Sequence, residues 1–243
     1  MIDRDTSAIL RRLTEQWREL LGELQRLNQV AEVRPADDDV FQPLNEGGAE
    51  AAFFELKPVV FNLPERATHA NNDLYVVVQG RLAFQRQEFT EHRRLLTHSF
   101  STQTAYFRRK TDSLDHIFGA HYDFAKDELG HPAFHVQMKS FAEMAAHVRE
   151  RYRLDLQVKD VVKGVLKTVR IPTAQMDVFS LFVQICADHL LHSESSTDQV
   201  RAFDTLLSKS KFCQGAGFQV PRMGTAEAIE CYRARHWYPT TAV

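Results

Sequence analysis

Apolar positions near the start of the chain recur at Leu10, Leu13, Trp17, Leu20, Leu24, Leu27 and Ala31, in alternating steps of three and four. Arg, Glu and Gln fill the positions between them, so the spacing predicts an amphipathic helix over 6–32 with an a/d stripe. Thr6 or Ser7 is its expected N-cap. A stripe of this kind either packs on the chain's own core or dimerises, and residues 10–31 are therefore also a candidate seam for a second copy or a partner helix.

The period then changes. The segment Pro35 to Gly48, PADDDVFQPLNEGG, combines Pro, Gly and an acidic triplet and reads as a linker. Beyond it, Ala51–Leu63, Leu74–Phe89 and Leu95–Arg109 are rich in Phe, Val, Tyr and Thr and are separated by turn residues such as Asn71-Asn72-Asp73. Short connections between consecutive strands predict an antiparallel meander. Helical composition returns at Phe141–Tyr152, and Val161–Ile171 reads as a strand ended by Pro172. A nearly all-apolar helix follows over Met176–His192, capped by Thr173 or Asp177, and Thr197–Lys209 and Thr225–Trp237 complete a helical C-terminal third. The expected fold is α+β, with an N-terminal amphipathic helix, an antiparallel sheet of about five or six strands and helices packed on it. The expected division is 1–33 as a helical arm, 34–48 as linker and 49–243 as one domain.

Composition narrows the setting without naming a function. A chain of 243 residues, 44% hydrophobic and 26% charged, can bury a substantial core, and a net charge of −2 gives no global attraction to polyanions. Cys186, Cys213 and Cys231 are odd in number and lack CxxC spacing, which predicts a reducing cytoplasm and neither disulfides nor a cysteine zinc site. No secretory leader is apparent at the start. The longest apolar run, Val178–Leu191, is broken by Ser180, Gln184, Asp188 and His189, so no membrane span is expected.

The candidate chemistry lies in Phe118–Met138, FGAHYDFAKDELGHPAFHVQM. Read as two strands, its even positions are mostly apolar, and its odd positions collect His121, Asp123, His131, His135 and Gln137. A register opposing His121 to His135 would put Asp123 diagonal to His135, which suits an Asp-oriented acid–base pair of imidazoles. The same three side chains are a candidate ligand set for Zn²⁺ or Mn²⁺. Established signatures are absent: the histidines of HPAFHVQ are four apart where a HIT-type motif needs every second residue, and HExxH, Walker and GxSxG patterns do not occur.

Charge patterning adds partners for an anion. Arg81, Arg86, Arg93, Arg94, Arg108, Arg109 and Lys110 stand against Glu88 and Glu91 in one stretch, and a second basic stretch runs over 149–170. Arg108, Arg109 and Arg170, with His131 and Gln137, are therefore candidate substrate contacts for a phosphodiester, with His121, Asp123 and His135 as the catalytic group. The first expectation is a cytoplasmic, ribonuclease-like phosphodiesterase. The second is a non-catalytic subunit that oligomerises through its N-terminal helix and binds nucleic acid or protein, with the basic residues serving as a solvated, edge-protecting face.

Overall fold

Alternating burial along long strands builds a sheet with two faces, one packed against helices and the other, among the described residues, half covered. A computed structural model describes residues 3–36, 39–46, 48–63, 73–124, 134–162, 171–173 and 175–209. Within them the chain runs α1 (Arg4–Leu27), β1 (Glu32–Arg34), β2 (Phe41–Leu44), β3 (Ala51–Leu63), β4 (Leu74–Gln85), α2 (Arg86–His92), β5 (Thr97–Arg109) and β6 (Ser113–Phe124). It continues through β7 (Phe134–Met138), a 3-10 turn (Ala142–Met144), α3 (Ala145–Tyr152), β8 (Gln157–Asp160), β9 (Ile171–Pro172), α4 (Val178–Leu190) and α5 (Thr197–Lys209). The α+β architecture is as expected, but the sheet is larger: nine strands in the order β1-β3-β4-β5-β6-β7-β9, with β2 also on β3 and β8 on β6. All pairs are antiparallel except β6 with β8.

The N-terminal stripe is consumed inside the chain. Leu13, Trp17, Leu20, Leu24 and Leu27 are each at most 1% exposed and join one core with Phe54, Phe61, Val76 and Phe182. The helix starts earlier and ends sooner than 6–32, because Asp3, not Thr6 or Ser7, is its cap: Asp3 Oδ1 accepts from the Thr6 N–H at 2.8 Å. Within the expected linker 34–48, described residues are paired and buried. Arg34 ends β1, β2 pairs with β3, and Val40 and Phe41 are buried, because the apolar VF pair has core to fill despite its acidic and Pro neighbours.

Two further boundaries move. The strand expected over Leu74–Phe89 stops at Gln85, since R-Q-E-F-T-E-H has no alternation and buries Phe89 alone; it turns as α2. Of the strand expected over Val161–Ile171, residues 163–170 lie outside the described residues, and β8 precedes it. The helix expected over Thr225–Trp237 also lies outside them. Phe141–Tyr152 begins as a 3-10 turn before α3, and Met176–His192 tightens to α4.

The first sheet face meets α1 and α4, and α5 packs on those helices. On the second face a smaller core of Val60, Tyr75, Val77, Ala105, Phe107 and Leu114 is covered by Phe141, Met144, Ala145 and Val148. Among the described residues that cover ends part-way across, and the next two rows of the second face are polar. No helix among the described residues is long and apolar enough to cross a membrane.

Two measurements test this packing. Leu20→Ala should cost about 2–5 kcal/mol in urea unfolding, the penalty of a buried cavity; a loss below about 0.5 kcal/mol, the range of surface substitutions, would contradict the buried stripe. At the start of α4, Asp177 Oδ1 accepts from the Phe179 and Ser180 N–H groups, both at 3.0 Å, and burial pushes its carboxyl above the usual range. A raised folded value means that its contribution is greatest at low pH and declines as pH rises through that value. Asp177→Ala should therefore lose about 1 kcal/mol of cap stability, whereas Asp177→Asn should be at least as stable as the parent at neutral pH; equal losses in both would refute the cap assignment.

Candidate functional site: a polar patch on the half-covered sheet face

Where the α3 cover ends, the register lines up two rows of polar residues across adjacent strands. In one row, Glu55 of β3 opposes Arg81 of β4, Arg81 opposes Ser101 of β5, Ser101 opposes Asp123 of β6, and Asp123 opposes His135 of β7. In the next, Gln79, Gln103, His121 and Gln137 oppose one another in sequence. Directly opposed residues share a face, so both rows project to one side.

This register corrects the expected hairpin pairing. His121 faces Gln137, and Asp123, not His121, faces His135, a shift of two residues that leaves every side chain on its expected face. The two imidazoles are consequently diagonal, with backbones about 7–8 Å apart, and Asp123 lies directly across from the second one. His135 is 4% exposed; the His121 and Asp123 side chains are 14% and 29% exposed.

His121 is held from three directions. Its Nε2 lies 2.7 Å from Ser101 Oγ and 3.1 Å from Asp123 Oδ1, and its Nδ1 lies 3.2 Å from the Lys139 ammonium. An ammonium only donates, so Nδ1 is the acceptor and the ring proton sits on Nε2, pointing to Ser101 and Asp123. Ser101 and Asp123 thus compete for the same nitrogen. A relay in which the carboxylate orients one nitrogen while the serine uses the other is ruled out by this geometry. Burial alone would raise the Asp123 carboxyl, but hydrogen bonding and charge from His121, with His135 and Ser101 contributing, hold it below its usual range.

Next to this group the face forms a groove of about 360 Å³ lined in part by Glu55, Lys57, Gln79, Arg81, Ser101 and Gln103. The irregularity between Leu56 and Val59 of β3 puts Lys57 and Pro58 at its rim. Its β5 wall, Ser101 and Gln103, is the wall that touches Asp123 and His121. Comparison with protein-family models, with curated proteins and with solved structures finds no match to this chain. What the patch does must be read from its own side chains.

The expected substrate contacts divide. Gln137 is in the patch, across from His121. Arg109 is at the far end of β5, six residues and so about 20 Å from Gln103, bonded to Asp73 at 3.4 Å. Arg108 alternates to the opposite face, level with Leu74. His131 and Arg170 lie outside the described residues. Nor is the basic stretch a bare cationic surface: Arg86 pairs with Asp3, Arg93 with Asp5, Arg94 with Glu88, Lys110 with Asp115 and Arg81 with Glu46.

No group of three or more His, Cys, Asp or Glu among the described residues is arranged to hold a metal ion. His121, Asp123 and His135 do not gather as such a set, and the Lys139 ammonium already occupies His121 Nδ1. Sequence reasoning passed over Ser101, Gln103 and Lys139. Their signal was parity: Ser101 and Gln103 alternate with Thr102 and Thr104 in β5, and Lys139 continues the His135, Gln137 series.

The depressed Asp123 carboxyl gives a pH test. A folded value below the unfolded one contributes stability above the ordinary carboxylate range of about 4, lost as pH falls through the folded value. The parent should therefore lose melting temperature more steeply than Asp123→Asn between about pH 5 and pH 2. Parallel acid limbs would show that Asp123 carries no such linkage.

Proposed function

We propose that this chain is a metal-independent phosphodiesterase of ribonuclease type, acting through His121, His135 and Lys139. The observation that supports it is the convergence of two imidazoles, an intervening carboxylate and an ammonium on one polar sheet face beside a groove. Phosphodiester cleavage by an internal hydroxyl needs two proton transfers at one phosphorus. One imidazole takes the proton of the attacking hydroxyl as the O–P bond forms, and the other returns a proton to the leaving oxygen as its P–O bond breaks. Imidazoles diagonal on neighbouring strands can flank a phosphate, and Lys139 supplies a positive charge to the oxygens that gain charge in the transition state.

Asp123 holds the His121 ring, places its charge across from His135, and is a positioning group here. Lys57 and Arg81 offer the groove further cations; their partners, Asp39 at 3.0 Å and Glu46 at 3.4 Å, form exposed pairs worth at most about 1 kcal/mol, which a phosphate can displace. A reducing cytoplasm fits the free, buried thiol of Cys186. The alternative, a non-catalytic subunit oligomerising through residues 10–31, has lost its exposed leucine seam to the chain's own core. A binding role through the polar face remains its surviving form.

Cleavage of a fluorogenic RNA oligonucleotide separates the two. His121→Asn and His135→Gln should each lower kcat/KM by about 10²- to 10⁴-fold, the usual share of a general acid or base, with EDTA without effect. Parent and both variants binding RNA equally, with no cleavage by any of them, would leave the binding role alone standing.

A further inference from the structure

A second histidine on β6 is tied to the first through three side chains. His116 is 0% exposed and packs on Phe107 with ring centroids 5.1 Å apart. Opposite it the ladder slips: Tyr106 faces Phe118 and Phe107 faces His116, so Ile117 is left over as a bulge. The bulge resets the alternation and places His116 on the same side as His121 despite the odd spacing between them.

His116 Nδ1 donates to Asp160 Oδ1 at 2.9 Å, and Asp160 Oδ2 accepts from Ser140 Oγ at 2.6 Å. Ser140 directly follows Lys139, whose N–H donates to the Gly119 carbonyl at 3.0 Å and whose ammonium caps His121 Nδ1. Gly119 is the floor of this arrangement. A Cβ there would collide with the Lys139 carbonyl and stand 3.2 Å from His116 Nε2. That Nε2 is buried and has no partner among the described residues. Packing alone does not account for a sealed imidazole with an orphan nitrogen, since an apolar side chain would fill the same space without it.

We infer that His116, Asp160 and Ser140 form a positioning relay that holds the Lys139 ammonium on His121 and so fixes which ring nitrogen of His121 carries the proton. The relay runs from β6 to β8, across to the end of β7, and back to β6. Among the described residues, the groups facing His121 are Asp123 on its own strand, Ser101 and Gln103 from β5, and His135, Gln137 and Lys139 from β7 and its continuation. Of these, Lys139 is the one bonded to Nδ1, so moving it frees that nitrogen to take a proton. The bearing of the relay on turnover rests on the phosphodiesterase reading above; its effect on the His121 tautomer does not.

Imidazole ¹⁵N NMR of the full chain at about pH 9, above the ordinary imidazole range, reads the tautomer without substrate, with His121→Gln assigning the signal. The parent should show the Nε2–H form. Lys139→Met should populate the Nδ1–H form, and Ser140→Ala or Asp160→Asn should raise it by about twofold or more, the low end of coupling between neighbouring groups. Ser140→Thr, which keeps the hydroxyl, should restore the parent spectrum, and Ser140→Ala should add nothing in a Lys139→Met background. A parent-like His121 signal in Ser140→Ala and Asp160→Asn would overturn the relay. So would a Ser140 effect that persists at full size without Lys139. If the relay stands and the parent cleaves no RNA, the phosphodiesterase reading alone has failed.

Discussion

The Trp17 indole joins α1 to α4 on one face of the sheet, and the remaining layers depend on that contact. Its ring meets Phe182 of α4 edge-on at 5.3 Å and Phe41 of β2 at 6.0 Å, while Phe182 meets Phe61 of β3 at 5.1 Å. One side chain thus fixes an N-terminal helix, a short strand, the central sheet and a C-terminal helix relative to one another. The indole N–H is buried with no partner among the described residues, a cost of about 1–3 kcal/mol that the surrounding aromatic area must exceed. With one sheet face closed this way, the polar rows lie on the other, beyond its smaller core.

On that other face the short α3 cover decides where chemistry is possible. Tyr75 and Val77 lie beneath it, whereas Gln79 and Arg81, next in the same alternation on β4, lie beyond it. Neighbouring strands change character at the same level, from Ala105 and Phe107 to Gln103 and Ser101 on β5. Alignment of these changes across strands turns isolated polar residues into a continuous surface. The backbone of Gly80 serves this alignment from the opposite side, where a Cβ would come within 2.5 Å of the Ser101 carbonyl.

Strand and helix periodicity was readable where burial was one-sided and regular: β3 and α5 have the limits their sequence patterns indicate, and Asp177 caps α4 as its position suggests. The failures share a physical cause, namely partners distant in sequence. Nothing local in VFQPL reveals that β3 is waiting for β2; Asp3 is the exception, since Asp is favoured over Thr at an N-cap and its bond to the Thr6 N–H is local. For the site, alternation identified the shared face of His121, Asp123 and His135, but register depends on how β6 docks on β7. His116 was unreadable because a bulge at Ile117 breaks the parity on which such reasoning depends. The basic stretch misled for a related reason: its carboxylate partners Asp3, Asp5 and Glu46 come from segments far away in the chain.

The first helix packs chiefly against the last described one, with Gln16 donating to the Lys209 carbonyl and Gln199 to the Leu27 carbonyl. A ribosome releases α1 long before α4 and α5 exist, so its leucines emerge with the surface they require still unmade. Closing that contact spans nearly the whole described chain and belongs late in folding, after the local hairpins of the meander have formed. During synthesis α1 therefore waits with its apolar face uncovered until α4 and α5 emerge, a natural substrate for chaperones and a point of vulnerability to aggregation.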